Sequence, residues 1–337
     1  MDESIREIAP RFEDLHRQSS VPSVHEWRLH GLLFALTICT TVIAGVSSVA
    51  DINNAAEPAL RTPLDYILYL PLSYIYSVGA LLKLVLLNPQ LLVNGFAFSA
   101  SLLAILFSHE MGHYLACRYY GVDATLPYFL PAPPFFIAGT FGAFIKIRSQ
   151  IPTRRALFDI GLAGPLAGFI VAIPISLIGL ATIGPPLHQA SSSGIYFNDP
   201  LLFRLLARLL GVRLETTSPI NPYYMAAWIG LLVTSLNLMP VGQLDGGHGT
   251  FAVFGERAHK TIGRIAFIAT GLLAGLGFWF HGSPSGFLYT VLLGIMLRVK
   301  HPQPPVKEPL GMKRVLIGIV TLIVFALCFW PFPITIK

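Results

Sequence analysis

The chain has 337 residues, of which 54% are hydrophobic and only 12% charged, with a formal net charge of +6 and a mean hydropathy of +0.65. Soluble globular chains carry about a quarter charged residues, so this composition excludes an ordinary soluble domain and predicts a polytopic helical membrane protein. The basic excess is no nucleic-acid footprint, because no aromatic-basic patch accompanies it. Three scattered cysteines, Cys39, Cys117 and Cys328, make neither a disulfide framework nor a CxxC metal pair.

In chain order, residues 1–29 form a polar segment of mixed charge, unlike a cleavable signal with a short basic start. Residues 30–91 hold transmembrane and interfacial segments: His30–Ala50, and Tyr66–Leu87, which Pro71 and Lys83 interrupt. Whether Tyr66–Leu87 spans decides the side of the N-terminus. Residues 92–299 form the core, with uncharged runs near the length that crosses hydrocarbon at Leu91–Phe107, Ile160–Ile183, Tyr223–Leu244 and Ile265–Phe280, and a shorter one at Gly286–Leu297. Residues 300–314 are a basic linker, and Val315–Trp330, within 315–337, is a C-terminal transmembrane helix.

Lys and Arg crowd into three connections, at 118–155, 257–264 and 298–314, which the positive-inside rule assigns to the cytoplasmic face. The connection Gly184–Asn221 is a partial exception, and Leu201–Leu210 has the apolar spacing of an interfacial helix between its arginines. Leu126–Phe136 is proline-rich and reads as a loop, whereas Gly139–Ser149 alternates with period two. That strand either exposes an edge to an extended substrate, with Gly139, Phe141 and Gly142 at the pairing surface, or is an ordinary hairpin packed on the core.

His109 and His113, in "FSHEMGHYLA", stand four apart and share one helix face, so both imidazoles reach one cation while Glu110 sits beside a metal-bound water. This is the HExxH arrangement of zinc hydrolysis, in which the carboxylate moves the water's proton. Chance alone would give it in about one such sequence in a hundred, and three ionisable groups at membrane depth are too costly for an inert helix contact. Catalytic zinc takes a third protein ligand. Asp159 stands at the start of its segment, where a lone carboxylate caps a helix. Asp245 is the better candidate, because Pro240 and Gly242 break the helix just before it, and broken backbone at such depth lines a cavity. His248 is a rival, read as a residue beside the ligands.

HEMGH followed by "NLMPVGQLDGG", with "GTFGAFIKIRSQIPTRRALFDIGLAGPLAG" between them, resembles the site-2 protease family of intramembrane zinc metalloproteases, in the branch of the chloroplast EGY-type proteases and their bacterial relatives. The similarity runs over about Val93 to Arg257, half of the chain. It implies one Zn²⁺ per chain on His109, His113 and Asp245, Glu110 as general base, and Asn237 as a group that positions substrate or its oxyanion. The implied fold is all-α and polytopic, with a six-helix or larger transmembrane core and a small membrane-associated β hairpin or sheet. The implied partners are the lipid bilayer of a bacterial inner membrane or an organelle, and a transmembrane protein substrate, with no nucleic acid. The Gly184–Asn221 connection is too short for the PDZ domain of some relatives, and residues after Lys300 too few for a CBS pair. Gly161, Gly164 and Gly168 give one helix a small-residue packing face. The competing functions are a metal or ion transporter, and a proteolytically silent binder of membrane helices; substrate, oligomeric state and gating are not legible.

Overall fold

A computed structural model describes residues 23–49, 63–134, 136–184, 195–214, 220–299, 301, 304–306 and 308–336. Most of the polar N-terminal segment, parts of the Gly184–Asn221 connection and several positions of the basic linker lie outside the described residues.

The helices are α1 (Val24–Val49), α2 (Pro63–Leu87), α3 (Gln90–Tyr119), α4 (Arg154–Ala181), α5 (Leu201–Leu210), α6 (Pro222–Asn237), α7 (Asp245–His281), α8 (Ser285–Met296) and α9 (Met312–Cys328). Local chemistry sets several starts. Ser23 and Glu26 form a reciprocal capping box on α1, with Ser23 N–H donating to Glu26 Oε2 at 2.8 Å and Glu26 N–H to Ser23 Oγ at 3.2 Å. Thr153 caps α4 by accepting from Ala156 N–H at 3.1 Å, and Asn221 caps α6, where Pro222 takes the first helical position. Pro165 and Pro174 lie inside α4, as helices packed among membrane neighbours tolerate.

Among the described residues four helices, α1, α3, α4 and α7, are long and apolar enough to cross a membrane. Two of the six expected spans are shorter. The run Tyr223–Leu244 yields the 16-residue α6, because its helix ends at Asn237 and residues 238–244 turn; Val315–Trp330 yields the 17-residue α9, followed by a strand. α7 is two helices joined at Gly255, whose φ of 78° and ψ of 178° are not helical. The segment Leu201–Leu210, expected as an interfacial helix, is helical and is closed by Gly211 in the left-handed region.

The described residues also form two small antiparallel sheets. In one, β1 (Tyr128–Pro131) pairs with β2 (Thr140–Phe144); in the other, β3 (Ile195–Phe197) pairs with β4 (Ile334–Ile336). The loop expected over Leu126–Phe136 therefore contains a strand: Tyr128, Phe129 and Leu130 fit a pleated surface, and Pro131 is confined to its end. β1 and β2 shift register between Leu130 and Pro131, which leaves Phe141 as the extra residue of a bulge beside Gly142 (φ 102°).

The main core lies where α3, α4 and α6 meet, around Phe98, Leu102, Ile105, Phe158 and Leu231, all nearly or fully inaccessible. α3 makes its largest contact with α4. That pair carries the site.

Candidate metal centre

His109 and His113 project from one face of α3, and Asp245 is the first residue of α7. A carboxylate at that position suits the partial positive charge of a helix N-terminus. The three side chains converge. His109 Nε2 and His113 Nε2 are 3.1 Å apart, and Asp245 Oδ2 lies 3.2 Å from the first and 3.3 Å from the second. Tetrahedral zinc with bonds of about 2.0–2.1 Å requires ligand atoms roughly 3.3 Å apart. The triangle has the edges of one face of such a site.

A backbone carbonyl behind His113 sets which of its ring atoms points inward. His113 Nδ1 lies 2.7 Å from the carbonyl oxygen of Ile160, which only accepts, so Nδ1–H donates and Nε2 of the neutral ring offers a lone pair. Two imidazole nitrogens and a carboxylate oxygen at these separations make the mixed nitrogen and oxygen donor set that zinc takes from protein side chains. Of the described residues, His109, His113 and Asp245 are the one group of this kind with converging ligand atoms. The donor set therefore fits a zinc ion.

The glycine face of α4 makes the approach physical. A Cβ on Gly164 would overlap the His113 ring, one on Gly168 would lie 3.1 Å from His109 Cβ, and one on Gly161 would lie 2.6 Å from His248 Cβ. The packing face expected from these glycines therefore seats the two ligating histidines at Gly164 and Gly168, and His248 at Gly161.

A cavity of about 290 Å³ opens onto the triangle, and Glu110, Asn237, Ala143, Ile145, Ile147 and His248 line it. Glu110 is buried, with the Ile145 backbone N–H within reach of its carboxylate. Asn237, the last residue of α6, holds Nδ2 3.2 Å from His109 Nε2. His248 stands outside the triangle, its Nδ1 2.8 Å from His301 Nε2. Asp159 lies elsewhere, and Thr153, not Asp159, caps α4. Its carboxylate takes Arg314 in a two-pronged pair, at 2.9 Å from Nε and 2.6 Å from Nη2, and accepts from Tyr120 OH. That set ties α9 to α3 and α4.

The strand residues divide. Gly139 (φ 66°) is a close-approach site, but toward α1: a Cβ there would lie 2.5 Å from the Thr40 carbonyl oxygen. Phe141 is exposed and rests on Phe136 at 5.0 Å between centroids, and Gly142 faces open space. None of the three lines the cavity, which takes the following residues Ala143, Phe144, Ile145 and Ile147 instead. Beyond β2 the chain stays extended: Thr125 N–H donates to Lys146 O at 3.0 Å and Arg148 N–H to Asp123 O at 2.8 Å. Antiparallel pairing alternates sides, so Ile145 and Ile147 direct their backbone groups to the opposite edge.

One residue of the site went unread in the sequence. Arg154, at the start of α4, donates through Nε to Ala252 O and through Nη2 to Val253 O at 2.7 Å. These carbonyls end the short helix that Asp245 begins, just before Gly255. The guanidinium satisfies them and opposes the negative end of the helix dipole.

Residues 97–276 match the family model of peptidase family M50. The probable zinc metalloprotease EGY2, chloroplastic, of Oryza sativa subsp. indica is 33% identical over 254 residues, covering 73% of this chain and 44% of that protein. The probable zinc metalloprotease EGY1, chloroplastic, of Arabidopsis thaliana is 32% identical over 255 residues, covering 72% of this chain and 42% of its own length. The chain thus spans under half the length of the curated relatives it matches, and no solved structure matches it. The match takes in α3, α4, α6 and most of α7, the four helices that build the triangle and its walls, and covers more than half of the residues. This chain belongs to peptidase family M50.

Proposed function

We propose that the chain is a zinc-dependent endopeptidase, with one ion per chain, that hydrolyses a peptide bond in or near a transmembrane segment of another protein. The observation that carries this reading is the triangle of His109 Nε2, His113 Nε2 and Asp245 Oδ2, with edges of 3.1, 3.2 and 3.3 Å, beside a buried carboxylate. The relatives are named chloroplastic, and we infer a multi-pass protein of an organelle membrane or a bacterial inner membrane. The partners are then the bilayer and the membrane-protein substrate.

Zinc, when bound, supplies Lewis acidity that polarises a scissile carbonyl and acidifies water. Glu110 is the general base: next in sequence to His109 and lining the same cavity, it takes the proton of the attacking water and passes it to the leaving amine. The Asn237 amide, which lines the same cavity, donates toward the oxyanion as charge develops there. A membrane-spanning substrate is helical and shields its carbonyls, so it must unwind locally. The edge carrying the Ile145 carbonyl and the backbone groups of Ile147 offers replacement hydrogen bonds to the unwound stretch, by addition of a strand. This moves the pairing surface from Gly139–Gly142 to the next few residues.

The test is Glu110→Gln in lipid vesicles carrying a single-span reporter. The variant should keep one zinc per chain by elemental analysis and lose cleavage by at least about 10²-fold, the contribution of a positioned base. Cleavage at the unsubstituted rate removes Glu110 from the role, and purified chain that takes up no zinc removes the function.

A further inference from the structure

A second cavity, of about 490 Å³, lies between the stretch of α7 after Gly255 and the end of α8, and its polar lining is Glu256, His259, Lys260, Arg264, Arg298 and His301. Three permanent cations face one carboxylate there. Glu256 is engaged by Lys260, at 2.6 Å one helical turn away. Among the described residues no carboxylate pairs with Arg264 or Arg298. Two guanidiniums left in one concave site present the planar donor forks that suit phosphate oxygens.

The apolar surroundings identify what carries the phosphate. Arg264 immediately precedes the uncharged run Ile265–Phe280, and Arg298 immediately follows Gly286–Leu297, so in the α7–α8 hairpin both stand at the same edge of the hydrocarbon. From that edge an exposed stripe runs along each helix. Ile265, Ile268 and Leu272 on α7 are 62%, 57% and 65% exposed, and Val291 and Ile295 on α8 are 60% and 52% exposed. A cationic cavity above an uncovered apolar stripe matches a molecule with an anionic head and acyl chains.

We propose that this cavity binds the phosphate headgroup of an anionic phospholipid, with its chains laid along the exposed faces of α7 and α8. The site adjoins the metal centre. Gly242, in its wall, lies three residues before Asp245, and His301 reaches from the cavity to His248, which lines the other one.

The experiment is native mass spectrometry of the full chain in a neutral detergent, with phosphatidylglycerol, phosphatidylcholine or inorganic phosphate added separately. The readout needs no proteolysis and is independent of the proposed activity. Phosphatidylglycerol should be retained at least about tenfold better than phosphatidylcholine, and the double variant Arg264→Gln/Arg298→Gln should weaken it about thirtyfold. Both side chains are exposed, so the variant keeps the fold, and Arg208→Gln on α5 should leave retention unchanged. Phosphate adducts lost in the double variant, with no lipid preference, would overturn the lipid and leave a soluble phosphate as ligand. Retention indifferent to both arginines would overturn the site.

Discussion

Gly164→Ala isolates how the metal centre is built. The His113 ring lies on the bare backbone of α4, held through Nδ1 by the Ile160 carbonyl at 2.7 Å. A Cβ at position 164 would come 2.5 Å from His113 Cε1 and closer still to Nε2. Carbon atoms in contact sit about 3.5–4.0 Å apart, so the ring must withdraw by about 1 Å or the helices must part. Alanine is the better helix former by about 1 kcal/mol, while overpacking costs about 1–3 kcal/mol. The net loss of stability should thus stay under about 2 kcal/mol. Metal binding should suffer more: a ligand displaced by that much leaves the triangle, and disturbed support of a ligating histidine costs about 10–100-fold in affinity. Zinc competition against a chromophoric chelator, with denaturation of the zinc-free chain alongside, separates the two effects. Gly179→Ala is the matched control, because its Cβ would lie 2.6 Å from Tyr224 N and overpack α4 on α6 away from the site. It should lose stability and keep zinc affinity. The reasoning fails if Gly164→Ala binds zinc as the unsubstituted chain does, or if both variants weaken binding equally.

Arg154→Ala should uncap the ligand-bearing helix and weaken zinc binding about tenfold, with Arg154→Lys recovering part of it; equal affinity in all three chains would reduce Arg154 to a surface residue. Zinc at about 1,000 times its dissociation constant should stabilise the fold by roughly 4 kcal/mol, and chelation should remove that gain. His109→Ala, tested by thermal unfolding with and without zinc, should show no such shift.

Where the sequence was sufficient, the physics was local. His109 and His113 share a helix face because 3.6 residues make a turn, and nothing distant can change that. The break before Asp245 was likewise written in Pro240 and Gly242, but its extent was not. The run expected over Tyr223–Leu244 stops as a helix at Asn237, and Asp245 opens the next helix after seven residues of turn. What stayed illegible depends on partners far along the chain. Arg154 bonds carbonyls 98 and 99 residues away, and no local pattern distinguishes it from Arg155, whose Nε donates to Pro309 O. Gly139 shows the opposite error. It was expected at the surface that pairs with a substrate, whereas its neighbour is the backbone of α1, which only tertiary structure reveals.

The broken segment explains why one ligand comes from a helix start. A helix running uninterrupted past Asn237 would carry the next side chains along its own axis, at 1.5 Å per residue, beyond the level of the histidines. Stopping at Asn237 leaves that amide 3.2 Å from His109 Nε2, and restarting at Asp245 returns the chain to the same level, so one interruption delivers both groups to one cavity. The interruption leaves two helix ends inside the protein, and Asp245 opens its helix without a side-chain cap. The α6 end folds into the turn through Leu238 N–H to Thr234 O at 3.0 Å and Met239 N–H to Leu236 O at 3.1 Å. The short helix that follows is closed by Arg154 from α4, the helix whose glycines seat the imidazoles. α4 therefore fixes all three ligands at once, the histidines through its bare face and Asp245 through its first side chain, and a shift of α4 against α3 alone would dismantle the triangle.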